Sequence, residues 1–445
     1  MASDATATLD LDDIQSGVLR PRPTPYAAAY YLIRIDDRKA GREMLRRVRD
    51  AVSSAANPLS REAEAWVSVA ITFQGLKALG VPQDSLDSFP PEFVSGMAAR
   101  AAELGDVGEN APANWEKPLG SPDVHVVLGA LAPDAARLEA RLERARKGIE
   151  ATPGITIVYR QDSFALPTER EHFGFKDGIS HPAVEGSGIP GSNPQERPLK
   201  AGEFILGYPD ETGAIAPMPQ PEVLGRNGTY VVFRKLHQRV AAFRQYLQAN
   251  SADASAGELL AAKMVGRWRS GAPLSLSPER DDPALGEDSK RNNDFLYHAD
   301  DPKGLKCPVG SHIRRMNPRD AEIVGDVKLH RMIRRGTAYG PPLPEGVLED
   351  DGADRGLVFV FAGAYIKRQF EFVQTEWVSK GDFIGASAEK DPLCGPNDGT
   401  GMFTIPKLPI RRRVQGLPQF VSTRGGEYFF MPSLSALKWL AELTT

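Results

Sequence analysis

Cysteine is scarce in this sequence. Its 445 residues contain two, Cys307 and Cys394, so a disulfide framework is not supported. A basic excess is also missing. Fifty-four Lys and Arg against 58 Asp and Glu leave a net charge of −4, which gives no bulk field for nucleic acid. The longest apolar run, near Leu357 to Tyr365, is far short of the ~20 residues that a membrane-crossing helix needs. The opening Met1-Ala2-Ser3-Asp4-Ala5-Thr6 lacks the charged start and apolar core of a leader, and no twin arginine follows. A cytoplasmic protein with no membrane and no nucleic-acid partner is the expectation. No C-x-x-C, H-E-x-x-H, EF-hand loop or phosphate-binding G-x-x-x-x-G-K-[ST] occurs. Asp281-Asp282 and Asp350-Asp351 read as solvated loop charges, and Gly425-Gly426 as a turn.

The residues that are present describe a soluble globular chain, 41% hydrophobic and 25% charged. Its length favours two domains over one core. Hydrophobic patterning predicts strands at 27–35, 66–73, 123–130 and 154–161, with helices at 38–52 and 133–149. Strand, helix, strand, a long insertion, strand, helix, strand is a split β-α-β plan of the ferredoxin-like type. Residues 162–228 are loop-rich and proline-marked, as functional coverings tend to be. The second half repeats the plan, with strands at 228–233, 356–362 and 427–432 and helices at 237–249, 256–268 and 365–377. The expected fold is therefore α+β: two ferredoxin-like domains with antiparallel sheets, over residues 1–227 and 228–445.

Two stretches carry the chemistry. The first is Cys307-Pro308-Val309-Gly310-Ser311-His312-Ile313-Arg314-Arg315, followed by His330-Arg331-Met332-Ile333-Arg334-Arg335-Gly336. Neutral imidazole is the commonest protein metal ligand. A lone histidine among arginines is nonetheless most often a surface or N-cap residue. The second is Phe173-Gly174-Phe175-Lys176-Asp177-Gly178-Ile179-Ser180-His181-Pro182. Small residues let a backbone approach a bulky ligand closely, yet an Asp-Gly pair is also an ordinary turn.

Together, in this order and with a long gap between them, the two stretches resemble the dye-decolourising peroxidases. The likeness extends to Leu11–Leu19, to Gly356–Phe361 with Phe370–Trp377, and to Gly425–Ser433, and is strongest with the longer fungal and bacterial subgroup. The resemblance implies a haem b enzyme that reduces hydrogen peroxide and oxidises dyes, phenols and other aromatic donors. It implies His312 as the axial ligand of the iron, Asp177 as the distal acid–base and Arg334 beside it, with haem held mainly by the C-terminal half. Leu357 and Phe359, two apart on a strand, point the same way and match the family's distal pocket lining; Ile179 joins them on the cofactor side. Arg314 is the expected propionate partner. Trp377 and Tyr339 match aromatic residues that pass electrons to the surface in similar enzymes, although aromatic residues at element ends also simply pack. Asp391 is a candidate for the acid that orients His312 through its other nitrogen, against the reading as a loop residue. Cys307 remains the rival ligand as a thiolate. A haem-handling or iron-releasing protein with little peroxidase turnover is the alternative function.

Overall fold

In β1 (Ala27–Ile35) alternate residues enter different cores. Ala27, Ala29, Tyr31, Ile33 and Ile35 face one way, and Ala28, Tyr30 and Leu32 the other. A strand buried on both faces reads as a nearly continuous apolar run, which is what the sequence shows there. The computed structural model describes residues 8–56, 65–321, 325–383 and 388–444; Met1–Thr6 lie outside the described residues.

The strands that follow are β2 (Trp66–Ile71), β3 (Val126–Ala132), β4 (Ile155–Phe164), β5 (Thr229–Gln238), β6 (Ile333–Arg334), β7 (Thr337–Tyr339), β8 (Gly356–Gly363), β9 (Gly401–Ile405), β10 (Arg412–Leu417) and β11 (Val421–Met431). One sheet runs β4-β1-β3-β2-β11-β5-β8-β6, with β7 also on β8. Its first four strands have the antiparallel order of a ferredoxin-like half. The rest repeat that order: last strand β11, first β5, third β8, second β6 and β7. The two halves therefore join edge to edge, at Phe430 opposite Ile71, and the boundary at 227/228 falls just before β5. The sheet curls until β4 comes against β7, and Tyr30 Oη meets Thr337 Oγ1 at 3.1 Å across the enclosed core.

Helices cover the outer face of the first half. Arg38–Arg49 begins where Asp37 accepts from Ala40 N, and Ala135–Glu150 where Asp134 accepts from Arg137 N, each filling a free donor at a helix start. The C-terminal helix Leu434–Ala441 packs against Arg38–Arg49. In the second half the corresponding layer is Val240–Ala249, Ala254–Val265 and the wide-turned π stretches Ile366–Glu371 and Val373–Ser379. This layer stands off the sheet, and the gap beneath it is a cavity.

Several local expectations are corrected. His237 lies inside β5 rather than opening a helix, because β5 continues to Gln238. The helix expected to reach Trp268 stops at Val265, where Gly266 turns left-handed at φ 100°. Strands β6 and β7 and the β9–β10 hairpin were not anticipated; each is short or polar on one side. No helix among the described residues is long and apolar enough to cross a membrane.

Candidate active site

Leu236 and Gln238 on β5, with Leu357 and Phe359 on β8, form the floor of a cavity of ≈ 300 Å³. Phe370, Val373 and Val378 of the π stretches line one side, and the His312 stretch lines another. The loop 171–180 covers it from the first half. His312, Asp177, Arg334, Ile179, Leu357 and Phe359 are thus brought to one space.

His312 opens the short helix His312–Met316, whose N-cap Ser311 is fully buried and donates through Oγ to Lys263 O (2.5 Å). Its Nδ1 donates to Asp391 Oδ2 at 2.9 Å. The other carboxylate oxygen, Oδ1, accepts from Leu393 N (2.9 Å) and Cys394 N (2.8 Å). Burial opposes ionisation of Asp391, but His312 and then Arg315 hold its carboxyl below the usual range. An orienting acid of this kind fixes the tautomer and leaves Nε2 as the free ligand atom.

Across the cavity, Asp177 is held by its loop. Glu171 accepts from Phe173 N (3.0 Å), Phe175 N (2.9 Å) and Gln238 Nε2 (2.6 Å), which ties the loop to β5. Asn293 Nδ2 donates to Ile179 O (2.6 Å) on the other side. Gly178 sits at φ 78°, in the left-handed region open to glycine. Asp177 Oδ1 lies 3.6 Å from Arg334 Nη1 and Oδ2 lies 4.0 Å from Arg22 Nη2. Burial pushes the Asp177 carboxyl up, but Arg334 and then Arg22 outweigh it and leave it below its ordinary value. The sequence gives no local sign of Arg22, which stands between two prolines far upstream.

The other histidines do not line the cavity. His172 Nε2 contacts Tyr339 O (2.7 Å), and burial lowers the imidazole to about 4. His181, behind Asp177, is pushed down to about 3 by burial and then by Arg335 and Arg334. His330 stacks on Phe372 at 3.9 Å with Nδ1 on Arg368 O (2.6 Å). His125 Nδ1 accepts from Ile35 N (2.9 Å), His237 meets Asp354, and His298 is exposed. Cys307 is fully buried and does not line the cavity; Cys394 does. The ligand atoms of His312, Asp391 and Cys394 lie within 4.8 Å of one another. Burial, then Asp391 and Glu171, keep the Cys394 thiol protonated, so it offers no thiolate.

Three sequence expectations are overturned. Arg314 does not face the cavity: two residues on from His312 is roughly 200° around a helix. Instead it pairs with buried Asp301 (3.2 Å), donates to Asp301 O (2.9 Å) and Cys307 O (2.8 Å), and covers the Tyr297 ring at 4.5 Å. Arg314→Met is therefore expected to destabilise the fold by roughly 3–5 kcal/mol by stranding a buried carboxylate. Denaturant unfolding measures the loss, and the cofactor spectrum of the folded fraction should be unchanged. Trp377 and Tyr339 are not surface aromatics, since each is 2% exposed. The π turn wedges Trp377 among Phe372, Phe383 and His330. Pairing with β8 holds Tyr339 inside, with the Lys235 ammonium 4.8 Å from its ring centre.

The cavity wall instead presents Arg267 and Arg319. Arg267 donates to Gly271 O (2.8 Å), Asn292 O (2.7 Å) and Asn293 Oδ1 (2.7 Å). Arg319 donates to Asn293 O (2.9 Å), Phe295 O (2.9 Å) and Asn293 Oδ1 (3.0 Å). Burial, then neighbouring Arg319, pull Arg267 down to about 9. Arg319 also holds a left-handed backbone at φ 58°, a strain that the surroundings must maintain. Two adjacent guanidinium groups supplied only with neutral acceptors suit a dianionic group at that wall. An apolar floor, a free imidazole nitrogen and this pair fit haem.

The family described as the DyP dimeric alpha+beta barrel domain matches residues 13–163. The dye-decolorizing peroxidase of Mycetinis scorodonius is 31% identical over 473 residues, covering 98% of this chain and 88% of that protein. The chain belongs to the dye-decolourising peroxidase family. The multifunctional dye peroxidase of an Amycolatopsis species is 28% identical over 99% of this chain and 97% of its own length. A solved dye-decolorizing peroxidase in complex with 2,6-dimethoxyphenol superposes with a TM-score of 0.85 at 29% identity, over 97% of this chain and all of that one. This peroxidase chain thus has the family's α+β fold throughout. Enzymes of the family are haem enzymes.

Proposed function

We propose that this peroxidase uses haem b to reduce hydrogen peroxide at the expense of aromatic donors such as substituted phenols and dyes. Bound haem supplies an iron centre that exchanges electrons with peroxide on one side and with donors on the other. His312 Nε2 would hold the iron, with the imidazole kept in register by Asp391. Arg267 and Arg319, on the cavity wall, would hold the propionates in place of Arg314. Asp177, ionised, accepts a proton from one peroxide oxygen and delivers it to the other, which departs as water. Arg334 directs its N–H groups at the oxygen on which negative charge grows. Leu357, Phe359 and Ile179 keep the space apolar and narrow.

The observation that carries this reading is the Asp177–Arg334 pair, 3.6 Å apart, lining the same cavity as His312. The test is an absorption spectrum followed by peroxide-dependent bleaching of an anthraquinone dye. An intense Soret band with sustained turnover is expected. A Soret band with stoichiometric iron release and no turnover would instead favour the haem-handling reading, and absence of the band would end both.

A further inference from the structure

Arg22 has no part in the mechanism above, and its surroundings are built. It comes from the stretch between residues 19 and 27, which precedes β1 and is fastened at both ends to the segment that carries Arg334. Arg335 Nη2 donates to Val18 O (3.0 Å) and Leu19 O (2.9 Å) at one end. At the other, Ala338 N donates to Tyr26 Oη (2.7 Å). Between these anchors the Arg22 guanidinium lies over the Tyr26 ring, 4.5 Å from its centre, a contact that favours a fixed cation. Arg22 does not line the cavity and reaches Asp177 from behind. It faces Oδ2, whereas Arg334 faces Oδ1. Gly178 leaves room for this approach, since a Cβ there would stand in tight contact, 3.1 Å from Arg22 Nη2.

We propose that Arg22 is a positioning residue for the peroxide step, holding the Oδ2 edge of Asp177 from outside the cavity so that Oδ1 stays turned towards Arg334 and the reacting oxygens. The inference rests on Asp177 being the proton carrier. The N-terminal stretch is then part of the active site's support rather than a surface tail. The charged and titratable groups facing Asp177 are Arg334, Arg22 and His181, with Tyr26 and Glu171 beyond them. His181 stays neutral near neutral pH, since it is held to about 3. The two arginines therefore set the local charge.

The experiment compares Arg22→Gln and Arg22→Lys in the holoenzyme, with Soret absorbance and thermal unfolding as checks of integrity. Protonation of Asp177 is followed by its carboxylic-acid infrared band, assigned by its loss in Asp177→Asn. The peroxide rate constant is followed by stopped flow across acidic pH. In Arg22→Gln the infrared midpoint should rise by about one pH unit. The acid limb of the rate should move with it, a loss of about tenfold at a given pH on that limb. Arg22→Lys should restore most of both. Tyr26→Leu, which removes the ring beneath the guanidinium, should shift the midpoint in the same direction by less, and it serves if Arg22→Gln does not fold. An unmoved midpoint, or a lysine variant as impaired as the glutamine one, overturns the inference. A moved midpoint with an unmoved acid limb would leave Arg22's hold intact and remove Asp177 as the proton carrier.

Discussion

Asp177→Asn is expected to slow the reaction with hydrogen peroxide by about 10²–10⁴-fold, because a positioned general base and acid contributes that much. Asparagine keeps the shape but carries no charge and accepts no proton, and its single amide oxygen can face only one of the two arginines. The same group sets the pH dependence. Its folded-state carboxyl lies below the usual aspartate value near 3.8. It is therefore ionised above that value, and the rate should hold through mild acid and fall only as pH drops through the depressed value. An acid limb in the range of an ordinary histidine would point to another group. Arg334→Leu should cost about 10²–10³-fold in the same stopped-flow measurement, as loss of one charge-stabilising donor does. If both variants react like the parent, neither residue takes part in the peroxide step.

His312→Ala has the second large expected effect: loss of most bound haem on purification, or retention with an altered ligand field. Added imidazole should restore the parent spectrum, because Asp391 remains to orient it through its pinned carboxylate. Cys307→Ala should leave the spectrum unchanged, since that thiol is buried away from the cavity.

The ferredoxin-like plan was readable from the simple periodicities of the first half and its partial repetition in the second, but the short second-half strands β6 and β7, which complete the order there, were not. Asp177, His312, Arg334, Leu357 and Phe359 were picked out through the family resemblance of their stretches, and the fold brings them to one cavity. Most of the groups that support them were not. Asp391 was named only as a candidate against a loop residue, because it meets His312 across 79 residues of sequence, within a loop of no regular pattern. Arg22, Arg267 and Arg319 come from three separate segments that only the closed sheet and its covering loop bring together. Arg314 shows the opposite failure. Nearness to His312 suggested a shared role, but two residues on, roughly 200° round the helix, it turns to Asp301. Trp377 and Tyr339 failed for a similar reason, because sequence position at an element's end does not reveal which side of that element meets solvent.

His312 Nε2 would hold the iron in the cavity that Asp177 and Arg334 also line. Electron paramagnetic resonance of the ferric holoprotein, carrying ¹⁵N-labelled histidine, tests it most directly. Hyperfine coupling to a single histidine nitrogen is expected, present in Cys307→Ala and Cys394→Ala and absent in His312→Ala. Coupling that survives in His312→Ala, or a thiolate signature in the parent protein, would contradict the account.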